Sequence, residues 1–251
     1  MLSEPPPARP FMLERWAPFG VPLGALLGAA LVAYGLLRFP TTLTASPGAL
    51  LGPLGALAML ALYGVAGRVG PRWLARHRSP AARAVILNAA LLGGLAAGLV
   101  FAAEILLEYV LLPADNSRMG AVEFGLVFLL LFASAFYAAW RTAGLRDGLL
   151  AGLGAAVGAA LIATLIWYIV VLAVFYAFNG TPQQAQVFQA EGNFADFSRT
   201  GMTDFDAWAM QDFLGAGFLH LLLEPLVALF LGLIGAGLGK GLTRLTAPST
   251  S

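Results

Sequence analysis

Apolar positions in this chain fall in long continuous runs, with neither the alternation of strands nor the narrow stripes of soluble amphipathic helices. Six runs stand out, near 18–37, 48–67, 84–112, 120–140, 148–178 and 213–239. Each is long enough for a helix to cross a hydrocarbon core about 30 Å thick, which takes about 20 residues. The third and fifth exceed that length, so tilting, kinking or projection from the bilayer is expected of them. A membrane barrel would leave short alternating segments, whereas these runs are unbroken and rich in Leu, Ala and Gly. The pattern predicts an all-α polytopic bundle of six spans. Residues 1–17 precede a single transmembrane domain over 18–240, and 241–251 form a tail. The first run is read as an uncleaved span, because Glu4 and several prolines stand where a signal peptide carries its basic segment.

Composition agrees with the pattern. Of 251 residues, 59% are hydrophobic and 11% charged, against about 25% charged in an ordinary globular chain, and mean hydropathy is +0.82. A net charge of +1 gives no electrostatic case for nucleic acid. The absence of cysteine removes disulfides, thiolate metal sites and cysteine nucleophiles.

The basic residues set an orientation. Six spans put Arg9, Arg15, Arg68, Arg72, Arg76, Arg78, Arg83, Arg141, Arg146, Lys240 and Arg244 on one side, and only Arg38, Arg118 and Arg199 on the other. Lys and Arg are retained on the cytoplasmic side, so both termini are expected there. The preference for arginine over lysine and the abundance of alanine hint at a GC-rich bacterial genome, and hence at the inner membrane.

Two connections are distinctive. The turn between the second and third spans carries Arg68, Arg72, Arg76, Arg78 and Arg83, suited to anionic lipid at about 1 kcal/mol per basic residue, though an ordinary topology signal explains the same residues. The long segment 179–212 intersperses Glu191, Asp196, Asp204, Asp206 and Asp212 with Phe188, Phe194, Phe197, Phe205 and Trp208. Such a pattern suits the membrane interface; a lid, a partner-docking segment and a passive cap all fit it. Thr203 with Asp206 resembles a capping box, so the last helix is expected to start near Asp204. Glycines four apart, at Gly20, Gly24 and Gly28, at Gly94 and Gly98, at Gly148 and Gly152, at Gly154 and Gly158, and at Gly237 and Gly241, predict close helix approach. They serve contacts within one chain or between copies equally well. Ala61–Arg68 and Ala135–Arg141 each end a span with Tyr, small residues and Arg; the restricted alphabet of membrane helices accounts for this better than a repeat.

The chemistry-bearing candidates are the ionisable residues inside the spans: Glu104, Glu108, Glu123, His220 and Glu224. A charge near the bilayer centre costs about 2.5–3.5 kcal/mol, so such residues face the bundle interior and have partners. Glu104 and Glu108 share a helix face with Phe101, Ala97, Gly94 and Ala90. His220 and Glu224 share one with Gly217, Ala228, Leu231 and Gly235. Pro225 cannot donate to the carbonyl of Leu221, so a kink leaving that oxygen beside His220 and Glu224 is expected. These groups suit a cation or proton site open to the outer side, or structural pairing of His220 with Glu224; a haem or pigment ligand at His220 is a third, weaker reading. No metal or cofactor fingerprint occurs. With only His77 and His220 there is no multi-histidine centre, and H-E-x-x-H, G-x-S-x-G and P-loop motifs are absent. The spaced pair Glu104 and Glu108 lacks the adjacent Glu-Glu of glutamate-type intramembrane proteases. The expectation is a non-enzymatic membrane protein, either a subunit or scaffold acting through partner or self-association, or a small permease for a cation, protons or another small solute.

Overall fold

The computed structural model describes residues 13–44, 48–111, 119–177 and 181–246. Eight helices occur among them: α1 (Leu13–Arg38), α2 (Leu51–His77), α3 (Pro80–Leu106), α4 (Met119–Thr142), α5 (Leu145–Ala177), α6 (Pro182–Ala190), α7 (Asn193–Thr200) and α8 (Phe205–Thr246). A single π turn, Leu107–Leu111, extends α3. No strand is present among the described residues. Helices α1 to α5 and α8 are each long and apolar enough to cross a membrane, and the chain is a multi-pass membrane protein. Successive spans run in opposite directions. One end of the bundle therefore gathers the α2–α3 and α4–α5 turns (the arginine end), and the other carries α6 and α7 (the loop end).

Element boundaries differ from the sequence expectation in three places. Helix α2 continues past residue 67 to His77, so most of the basic connection is helical and the turn is Arg78–Ser79. Ser79 caps α3, its hydroxyl accepting from the Ala82 N–H at 3.3 Å, with Pro80 in the first turn where a missing N–H costs nothing. The expected long loop is largely helix, being taken up by α6, α7 and the start of α8. Asp204 rather than Thr203 caps α8: its carboxylate accepts from the Ala207 N–H at 3.0 Å, three positions on, the reach of an N-cap side chain.

Helix α5 is the axis of the molecule and packs on α3, α8, α4 and α1. Two thirds of its apolar window (67%) is buried, against 22% for α1 and α2, which flank the other four spans. Association between membrane helices rests on close packing at small residues. A methyl placed on Gly148 would meet the Ala135 carbonyl oxygen at 2.6 Å, and one on Gly94 the Ala155 carbonyl oxygen at 2.7 Å. On α8 the residues pressed against α4 are Gly235 and Gly239, not Gly237 and Gly241, which have open space beside them. The first-span series behaves differently again. Gly20 faces nothing, and only Gly28 is tightly approached, by the Leu60 side chain.

An ion pair locks the turns at the arginine end. Arg78 Nε donates to Asp147 Oδ1 at 2.6 Å, joining the α2–α3 turn to the first turn of α5. The Trp73 ring stacks on His77 at 4.7 Å and lies under the Arg146 guanidinium at 4.8 Å. Of the five arginines expected to meet lipid, Arg78 is thus engaged within the chain and Arg83 is half-buried, whereas Arg68, Arg72 and Arg76 are exposed.

Candidate functional site

The loop-end half is built from larger and more polar groups. Four side chains reach across to carbonyl oxygens of α8. Trp167 Nε1 donates to Phe213 at 2.7 Å, Tyr168 Oη to Leu214 at 3.3 Å and Thr164 Oγ1 to Gly217 at 3.4 Å, all from α5; Tyr63 of α2 donates to Leu221. The last bond answers the expectation about Pro225. Helix α8 runs through Pro225 without interruption, and the carbonyl that the proline leaves without an N–H is taken by the Tyr63 hydroxyl. That oxygen is therefore not an open ligand position. A carbonyl without a donor in hydrocarbon is unfavourable, and Tyr63, buried at 3% exposure, supplies the donor.

The intramembrane ionisable residues gather from three helices. Glu104 and Glu108, at the end of α3 and in its π turn, hydrogen-bond to each other, and both Glu123 of α4 and His220 of α8 lie within charge–charge range of Glu104. One turn deeper, His220 Nδ1 sits 3.3 Å from Glu224 Oε1. Phe101 backs the imidazole edge-on, with ring centroids 5.5 Å apart, and Phe124 meets Phe101 in the same manner at 5.7 Å. All five expected residues thus stand in one region, with Glu224 joined to the rest through His220. Glu224 is 7% exposed, and its second oxygen, Oε2, is buried with no hydrogen-bond partner; the same holds for one oxygen of Glu123. Among the described residues no three carboxyl or imidazole groups converge closely enough to hold one metal ion. The arrangement suits proton exchange or pairing with a donor-bearing ligand better than metal coordination.

Above this cluster lies an aromatic cap. Phe188 is buried among Phe194, Phe205 and Phe213, at centroid distances of 6.0, 5.1 and 6.2 Å, and Phe197 packs on Phe205 and Trp208. Tyr109, at the end of α3, hydrogen-bonds to Glu191 in the α6–α7 turn and so ties the cap to the bundle. Desolvation of the Glu191 carboxyl there, reinforced by Glu108 and Asp212, holds it above the usual carboxylate range, and its bonds to Asn193 and Tyr109 pull it back.

No family model matches the chain, and neither the curated proteins nor the solved structures give a match. The site is therefore read from its own chemistry. Sequence reasoning missed Tyr63 and Asp147. The partner of Tyr63 lies 158 residues away. A carboxylate at a helix start near a span end, as Asp147 is, ordinarily faces water. The one available signal was local: Leu221, four residues before Pro225, required a donor, and few hydroxyls lie within the spans. The two similar span ends are not equivalent in space, since Tyr63 is buried and bonded whereas Tyr137 is 44% exposed.

Proposed function

We propose that the protein is a non-catalytic membrane subunit of a bacterial inner membrane, its termini in the cytoplasm and its α6–α7 cap outside, holding partners by helix contacts and by that cap. The orientation rests on the concentration of basic residues at one end. The observation that carries the role is the close packing of α5 and α8 against α4 at the arginine end. Ala135, Ala138, Ala139, Ala151 and Ala236 are fully buried there beside Gly148 and Gly235. Below Glu224 on α8 come Ala228, Leu231, Gly232 and Gly235, none of them polar; Asn88 of α3 and Ser134 of α4, polar groups of this half, line a separate groove between those two helices. The polar cluster serves in this reading as an interior clamp. A second reading, a small permease, is favoured by the unpartnered oxygen of Glu224.

Reconstitution into liposomes with a proton or monovalent-cation gradient separates the two. The subunit reading predicts leak rates equal to protein-free vesicles, and co-purification of a stoichiometric partner in gentle detergent. A flux that disappears in Glu224→Gln would replace it with the permease.

A further inference from the structure

Between α3, α4 and α8 the bundle contains a cleft of about 330 Å³. Its lips are Phe124 and Phe128 on one side and Leu219 and Leu223 on the other, all between 38% and 50% exposed on the surface that faces lipid. Entry is therefore sideways from the bilayer. The walls are apolar save for His220 and Glu224, which stand side by side along α8. Glu224 is the unusual member. One carboxyl oxygen takes the imidazole, and the other, fully enclosed, has no hydrogen-bond partner in the protein.

A buried acceptor of this kind costs free energy until a donor reaches it. Bulk phospholipid does not supply one, because at this depth it brings only methylene groups. The sign of the surroundings selects among donors. Glu104, Glu108 and Glu123 lie in the same cluster, and neither Lys nor Arg contributes to the cleft wall. A fatty acid would add a fifth carboxyl to the cluster and bring no cation to it. An alcohol would satisfy the hydrogen bond without the charge. An ammonium group supplies both, as a charge-assisted bond. Size narrows the choice further, since 330 Å³ is at the small end of ligand cavities, about 300–1,000 Å³. One chain or one ring system fits, and a two-chain lipid does not.

We propose that this cleft binds a lipophilic amine, its apolar body between α4 and α8 and its ammonium group on Glu224, with His220 holding that carboxyl in place. Binding at equilibrium is independent of whether the bundle transports anything, so the proposal stands or falls apart from the subunit reading.

The test is equilibrium binding of radiolabelled dodecylamine to the full chain in phosphatidylcholine nanodiscs, with dodecanoic acid as competitor. Saturable binding at one amine per chain, untouched by the acid, is expected. Glu224→Gln should weaken it about tenfold or more, a change that removes the charge and keeps the shape. Leu223→Trp, a substitution on an exposed lip, should block entry while leaving the thermal midpoint unchanged, and it decides the matter if Glu224→Gln does not fold. Uptake that stays linear and equals that of empty nanodiscs would overturn the proposal. So would binding that survives both substitutions, or that the acid displaces as readily as the amine itself.

Discussion

The two ends of this bundle meet the same difficulty by opposite means. Lipid gives membrane helices no hydrophobic reason to associate. At the arginine end the answer is close approach: glycine and alanine bring α8 and α5 against carbonyl oxygens of α4, and Arg78 with Asp147 ties the turns. At the loop end Gly52 of α2 also meets Gly215 of α8 at backbone distance, but the interior there is filled by Phe101, Trp167 and Tyr168, and side-chain donors reach α8 carbonyls. The first construction closes the contacts of α5 and α8 with α4, while a groove remains between α3 and α4 beside Asn88 and Ser134. The second leaves a cleft and a carboxyl oxygen without a partner. One helix, α8, takes part in both, with Gly235 and Gly239 below and His220 and Glu224 above. Packing through small residues draws α5 and α8 onto the α4 backbone, and packing through polar clamps frames the cleft.

Substitutions should break the two ends to different degrees. The largest effect is expected from Gly148→Leu. Its side chain would enter the space of the Ala135 carbonyl, which is backbone and cannot yield. The overpacking cost, about 3 kcal/mol, should appear as loss of monodisperse protein or a sharp fall in thermal midpoint. Asp147→Ala comes next. It leaves Arg78 with the His77 carbonyl and the Trp73 ring as partners, and since its side chain is 24% exposed the penalty is set below that of a fully buried pair, at about 2 kcal/mol. In a double-mutant cycle Arg78→Ala should recover part of it.

Tyr63→Phe sharpens the comparison from the other side. It uncaps the Leu221 carbonyl next to Pro225 and should cost about 1 kcal/mol in denaturant-induced unfolding. Replacing Pro225 with Ala restores an N–H to that carbonyl, so the same tyrosine substitution should then cost less. The smallest global effect belongs to Phe197→Ala. It removes packing against Phe205 and Trp208 and should leave the thermal midpoint nearly unchanged, while amide exchange in α6 and α7 rises. If Phe197→Ala lowered the midpoint as far as Gly148→Leu does, the two ends would not differ as described.

The spans were legible because a bilayer imposes a length on every apolar run, and six runs met it. The His220–Glu224 contact and the Glu104–Glu108 contact were legible too, since helix geometry alone sets neighbours four apart. Contacts between helices were not. Nothing in the sequence distinguishes Gly235 and Gly239, which press on α4, from Gly237 and Gly241, which face open space, because rotation about the helix axis depends on all the neighbours at once. Tyr63 lay hidden for the same reason. Pro225 announced a carbonyl in need, and only the assembled bundle supplies the hydroxyl. Segment 179–212 was read as a loop because its polar and aromatic residues are mixed; its short helices take their order from the aromatic cluster they cover.

Because the chain has no cysteine, a single introduced thiol reports directly on which half water can enter. Ala236→Cys, at a position fully buried in the arginine-end packing, should resist a membrane-impermeant thiol reagent added from either side of sealed vesicles. In the same vesicles Glu104→Cys should react from the loop side alone. Labelling of Ala236→Cys from the arginine side, with the fold intact, would contradict the close packing of α5 and α8 against α4 on which the account depends.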